Sequence, residues 1–131
     1  MIKKKDIKIV IVDDELCIKE IALEFLEEYN VVGYTKPLLA LEYLNNNVVD
    51  ILVTDNRMPE MTGIELIKAA RIKNEDLKII MITATPSDCI TDLAGDAIDI
   101  LIKKPFRFER LMDSVEILVD EMELKGLDYA R

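Results

Sequence analysis

Four stretches of the chain are runs of Ile, Val and Leu with little polar interruption: Lys8 to Val12, Asp50 to Thr54, Lys78 to Thr83 and Asp99 to Ile102. A strand with one face in water alternates apolar and polar residues. Runs without alternation therefore predict strands buried on both faces, as in a parallel sheet covered by helices. Val31-Val32-Gly33-Tyr34 predicts a further, weaker strand. Between these runs the period changes. From Glu15 to Tyr29 the apolar residues Cys17, Ile18, Ile21, Ala22, Phe25 and Leu26 recur at helical spacing, which predicts a helix with one stripe on the sheet. Thr35-Lys36-Pro37 predicts a second helix start, with Leu38, Leu41 and Leu44 behind it and Asn45-Asn46-Asn47 as its stop. Ile64, Leu66, Ile67 and Ala70 predict a helix over Gly63 to Arg71, and Leu111, Val115, Leu118, Val119 and Met122 a long terminal helix over Phe106 to Leu124. A short helix broken near Gly95 is expected between Pro86 and Ala97.

Strand and helix thus alternate, and short connections between parallel strands impose right-handed crossovers. The expected fold is α/β: a flavodoxin-like, doubly wound, five-stranded parallel sheet of order 2-1-3-4-5 with five helices. It forms one domain over residues 1–131, with its core from about 7 to 124. A chain of this length buries roughly two thirds of its unfolded surface, enough for a single core. No repeat or internal linker interrupts it, and Glu123 to Arg131 reads as a frayed end or the beginning of a linker.

Composition narrows the chemistry. The absence of histidine excludes histidine acid–base catalysis, Ser-His-Asp triads and imidazole metal sites, so any metal here is hard and oxygen-bound. A net charge of −9, with no basic cluster beyond the short run of lysines at 3 to 5, argues against direct binding of nucleic acid or anionic membrane. Cys17 and Cys89 match no paired spacing and are expected to be packing residues. The apolar runs are far shorter than the roughly 20 residues that cross a bilayer, and no signal-peptide block follows Met1. A soluble, cytoplasmic protein is expected.

Charged residues stand where the predicted strands end: Asp13-Asp14 after the first, Asp55 after the third and Lys104 after the fifth, with Thr83 closing the fourth. In a doubly wound sheet the ligand site lies beyond the carboxyl ends of the strands, where strand order reverses, and the first and third strands flank that point. Neighbouring strands lie about 4.8 Å apart, so Asp13 or Asp14 would crowd Asp55 until a cation relieved them. Mg²⁺ suits such a place, because it takes one or two carboxylates together with water and phosphate oxygens. Asp55 stands alone at its strand end and is the better nucleophile toward phosphorus, whereas the Asp13-Asp14 pair suits the metal. Lys104 would neutralise the equatorial oxygens and Thr83 would donate a hydrogen bond to one. Taken singly, each residue has a plainer explanation. Asp-Asp-Glu reads as a helix N-cap, Asp55 as a turn residue, Thr83 as strand filler and Lys104 as a solvated charge. Their conjunction at successive strand ends favours the site.

The motifs Ile11-Val12-Asp13-Asp14-Glu15, Asp55-Asn56-Arg57-Met58-Pro59-Glu60-Met61-Thr62-Gly63, Ile82-Thr83-Ala84 and Lys104-Pro105-Phe106 together resemble the receiver domain of two-component response regulators, from Lys8 to about Leu124. The resemblance implies that Asp55 is the phosphoacceptor. It implies that Asp13, Asp14, Asp55 and the backbone carbonyl of Arg57 hold Mg²⁺. Thr83, Ala84 and Lys104 would meet the phosphoryl group and act in switching, Gly63 would be the turn glycine, and the Lys104–Pro105 bond would be cis. The donor would be a sensor histidine kinase or histidine phosphotransfer protein. The chain itself would be no enzyme beyond its own aspartyl phosphorylation and dephosphorylation. A homodimer through the fourth helix, fifth strand and last helix is a further implication.

Two positions depart from that family's pattern. Receivers usually carry Tyr or Phe three residues before the lysine, where this chain has Leu101, so an aromatic rotamer cannot be the readout here. Arg57 stands two residues after the acceptor, a position whose side chain tunes dephosphorylation in the family; a guanidinium there either covers the phosphoryl group or points to solvent. Leu101 motivates the competing expectation of a phosphorylation-independent interaction module. A phosphatase acting on external substrates is the remotest reading, because Asn56 and Arg57 break the Asp-x-Asp pattern of such enzymes.

Overall fold

The computed structural model of the chain describes residues 2–84, 90 and 94–129, with side chains as far as 125. Its five strands are β1 (Lys8–Val12), β2 (Asn30–Tyr34), β3 (Ile51–Asp55), β4 (Lys78–Thr83) and β5 (Ile100–Lys103), all parallel in the order β2-β1-β3-β4-β5. The α helices among the described residues are α1 (Leu16–Phe25), α2 (Pro37–Asn46), α3 (Gly63–Arg71) and α4 (Phe108–Tyr129). Five helices were expected, and four are present among the described residues. The remaining expectation falls on residues 86–97, most of which lie outside the described residues, as does Cys89. At the end of that stretch, Gly95–Ala97 is a single 3-10 turn that Gly95 enters at a φ of 60°, in the left-handed region open to glycine.

The unbroken apolar runs have a simple cause in the two-residue period of a strand. Odd-numbered Ile9, Ile11, Ile51 and Val53 with even-numbered Ile80, Ile82 and Ile102 pack on Ala22 of α1, on Leu26 just past its end, and on Leu111, Val115 and Leu118 of α4. The alternate residues Val10, Val12, Leu52, Ile79 and Met81 face Ala40 and Leu44 of α2 and Ile64, Leu66, Ile67 and Ala70 of α3. Both sides of the sheet are covered, so the middle positions of β1, β3 and β4 are apolar and the polar residues of these strands fall at or next to their ends. Each fully buried Ile or Leu contributes about 1.5–3 kcal/mol.

The amino ends of the strands are fastened by two aspartates in matching positions. Asp50, just before β3, accepts the Lys8 amide on Oδ2 at 2.8 Å and donates its own amide to the Lys8 carbonyl at 3.0 Å. Asp99, just before β5, does the same with Ile79, at 2.7 and 3.0 Å. Each closes the ladder where the neighbouring strand begins.

Helix boundaries depart from expectation in two places. α1 stops at Phe25 rather than at Tyr29. The Leu26 amide turns back to the carbonyls of Ala22 and Glu24, and Lys5 Nζ takes the carbonyls of Glu27 and Tyr29 at 2.6 and 3.2 Å. Glu24, Glu27 and Glu28 place negative charge at the negative end of the helix dipole, which disfavours continuation. Its buried stripe is also narrower than the sequence suggests: Ala22 and, just past the helix end, Leu26 are buried, whereas Cys17, Ile21 and Phe25 are exposed. Cys17 is therefore not the packing residue expected, and Phe25 keeps one ring face covered by stacking 5.4 Å from Phe108. α4 begins two residues later than predicted, at Phe108, and continues to Tyr129, past the expected end at Leu124. No helix among the described residues is long and apolar enough to cross a membrane.

Candidate functional site

The alternation that divides the core also gathers the charges. Continuing the parity of Ile9 and Ile11, of Ile51 and Val53, and of Ile100 and Ile102 carries Asp13, Asp55 and Lys104 to the same side of the sheet edge. Val12 pairs with Thr54, so the residues that follow each strand are neighbours. Lys104 Nζ donates to Asp55 Oδ2 at 2.9 Å and stands 3.6 Å from Asp13 Oδ2 and 3.7 Å from Glu15 Oε1. Asp13, Asp14 and Asp55 each offer a carboxylate oxygen, and these three atoms lie within 4.8 Å of one another. Asp13 and Asp55 are buried, whereas Asp14 is exposed and forms the solvent side of the cluster.

The carboxylates of Asp13 and Asp55 are oriented by backbone. Asp13 Oδ1 accepts the Glu15 amide at 2.8 Å, and the Asp13 amide donates to the Tyr34 carbonyl at 3.1 Å, tying the loop after β1 to β2. Asp55 Oδ1 accepts the Asn56 amide at 2.7 Å. The Lys104 amide donates to the Thr83 carbonyl at 3.0 Å, fixing the lysine beside the end of β4, and the Lys104–Pro105 bond is cis. Thr83 is buried at the last position of β4, and Ala84, next in the chain, is exposed. Arg57 is exposed in the β3–α3 loop, and Leu101 lies half-buried in β5 opposite Met81.

Burial is the largest influence on Asp13. It pushes the carboxyl up to about 6, with the charge of Asp55 adding to the effect and the Glu15 amide and Lys104 opposing it. For Lys104 burial acts downward, but the hydrogen bond to Asp55 and the charges of Asp13 and Asp55 prevail and hold the ammonium above its ordinary value. Three acids thus share one cation, and the cluster has unused affinity for positive charge. The donor set is all oxygen, and its span of up to 4.8 Å is a little wider than the roughly 4.2 Å between opposite oxygen ligands of Mg²⁺, which sit about 2.1 Å from the ion, so a small inward movement of the side chains would close it on the cation. Asp13, Asp14 and Asp55 fit that group.

The sequence did not single out Asn56 or foresee how tightly Gly63 approaches the strand end. Asn56 is buried, and its side-chain Oδ1 accepts the Ile64 amide at 3.3 Å. A Cβ added to Gly63 would overlap the Asp55 carbonyl oxygen, so the α3 start lies directly against the acceptor's backbone. The one available signal was a polar Asn in the position next to an apolar strand.

A family model described as response regulator receiver domain matches residues 9–116. The chain is 32% identical to the chemotaxis protein CheY of Pseudomonas aeruginosa over 88% of its own length and 98% of that protein's. It is 32% identical to the response regulator MprA of Mycobacterium ulcerans over 95% of its length, and spans only 55% of that longer protein. Among solved structures, a CheY-like receiver domain protein of Methanospirillum hungatei superposes with a TM-score of 0.84 at 27% identity, covering 92% of this chain and 98% of that one. The response regulator TrrA of Thermotoga maritima, solved in complex with Mg²⁺ and BeF, gives 0.76 at 33% identity, covering 86% and 98%.

Proposed function

The chain belongs to the response regulator receiver family, and from that premise we propose that it takes a phosphoryl group onto Asp55 from a phosphohistidine on a partner, a sensor histidine kinase or a histidine phosphotransfer protein. The observation that carries this reading is the 2.9 Å pairing of Lys104 Nζ with Asp55 Oδ2 beside the carboxylates of Asp13 and Asp14. An Asp55 oxygen attacks phosphorus and a P–O bond forms as the P–N bond breaks. The electron pair of that bond stays on the ring nitrogen, and the imidazole leaves neutral when its other nitrogen carries the proton. Asp13, Asp14, Asp55 and the carbonyl of Arg57 would hold Mg²⁺, which when bound supplies charge neutralisation at the transferring group. Lys104 compensates an equatorial oxygen, and Thr83 with the Ala84 backbone meets another, which is the step that switches the surface. The chemistry stops at self-phosphorylation and hydrolysis of that aspartyl phosphate. The charge of −9 suits a cytoplasmic relay with protein partners rather than a nucleic-acid or membrane ligand.

Incubation with phosphoramidate, whose P–N bond matches that of phosphohistidine, and Mg²⁺ tests the reading. Intact mass should rise by one phosphate in the wild type and stay constant in Asp55→Asn. A wild type that never gains the mass would reject it. Leu101 favours a second reading, a receiver-like interaction module indifferent to phosphate; a partner that binds wild type and Asp55→Asn equally would support it.

A further inference from the structure

We propose that Asn56 is a positioning residue for the Asp55 nucleophile, tying the reacting carboxylate to the first turn of α3; this rests on the reading of Asp55 as phosphoacceptor. A helix begins with amides that have no intrahelical partner. In α3 these amides are all met. Thr62 Oγ1 accepts the Glu65 amide at 3.1 Å while Glu65 Oε1 accepts the Thr62 amide at 3.0 Å, a capping box. The two amides between them belong to Asn56: its carbonyl accepts from Gly63 at 2.8 Å and its side-chain Oδ1 from Ile64 at 3.3 Å. The Asn56 amide then donates to Asp55 Oδ1 at 2.7 Å. α3 grips Asn56 at two points, and Asn56 grips the carboxylate.

The consequence is orientation. With Oδ1 held by Asn56 and Oδ2 by Lys104, the carboxylate is restrained from rotating. Bare glycine at residue 63 lets the helix start press against the Asp55 carbonyl, so the restraint is short and stiff. Leucine at residue 56 would fill a similar volume and accept nothing. The Ile64 amide would lose its partner, and only the Gly63 bond would still hold residue 56.

The test compares wild type, Asn56→Leu and Thr62→Ala with phosphoramidate and Mg²⁺. Asn56→Leu should lower the maximal labelling rate by about tenfold to a hundredfold, the scale of a misplaced reacting group. The half-saturating phosphoramidate concentration and the Mg²⁺-induced rise in Tm should stay at wild-type values. Thr62→Ala loosens the same helix end without touching residue 56, so it should lower the Tm and keep the rate. Equal rates in Asn56→Leu and wild type, or an equal loss in Thr62→Ala, would overturn the assignment. If Asn56→Leu does not fold, Asn56→Ser repeats the comparison with a smaller change. A wild type that takes no phosphate fails the phosphoacceptor reading itself, which separates the two outcomes.

Discussion

Gly63 lies so close to Asp55 that a methyl group on its Cα would occupy the place of the Asp55 carbonyl oxygen. The contact is backbone on backbone, and no side-chain rotation can relieve it. Gly63→Ala should therefore cost about 1–3 kcal/mol, the usual range for overpacking. Urea unfolding should show a lower midpoint at unchanged slope. A midpoint equal to that of the wild type would mean that the loop yields freely.

Asp13 supplies a pH dependence with a definite sign. Its folded value of about 6 lies above the ordinary 3.8, so the folded, metal-free protein holds this proton more tightly than the unfolded chain does. The stabilising contribution is complete below about pH 3.8 and is lost as pH rises through about 6. Mg²⁺ binds the deprotonated acid, so its stabilising effect runs the opposite way. Calorimetry should show a large Mg²⁺-induced rise in Tm near pH 7.5 and a small one near pH 5. Equal rises at the two values would contradict this account.

Lys104→Met should expose how much the cluster depends on its one ammonium. Removing it leaves the buried carboxylates of Asp13 and Asp55 facing each other without compensation. With Lys104 itself partly exposed, the loss in metal-free protein is about 2 kcal/mol. Mg²⁺ should raise the Tm of the variant by more than it raises that of the wild type, while phosphoramidate labelling falls. A variant as stable as wild type without Mg²⁺ would show that the acids protonate instead.

Leu101→Tyr should be tolerated. Leu101 borders a cleft of about 320 Å³ shared with Ile98 and Asp99, which gives the larger ring room without displacing the core. The change in stability should stay within about 1 kcal/mol. If ring order then follows phosphorylation, tyrosine fluorescence should differ with and without the phosphodonor more than in the wild type. A cooperative loss of several kcal/mol would show the cleft to be closed to it.

Much of this was legible in the residues because one rule, the two-residue strand period, fixes both the core and the rim. The runs around Ile9, Ile51, Ile79 and Ile100 marked the sheet, and the polar residues closing them marked its edge. Periodicity was less informative on the helices. In α1 the spacing of Cys17, Ile21 and Phe25 matches that of a buried stripe, yet the sheet takes the adjacent face with Ala22 and Leu26. Apolar spacing records a face but not which neighbouring face wins the contact. Asn56 escaped notice for a different reason, since its two oxygens accept from the backbone amides of Gly63 and Ile64, which no sequence pattern displays.

Asp50 and Asp99 hold the strand register from the end of the sheet remote from the charged rim. Alignment of the strands is consequently decided where no chemistry takes place. Side chains at the opposite end can be ionised or esterified while the β1–β3 and β4–β5 pairings stay anchored at their starts, so a chemical change at the rim need not travel through strand alignment.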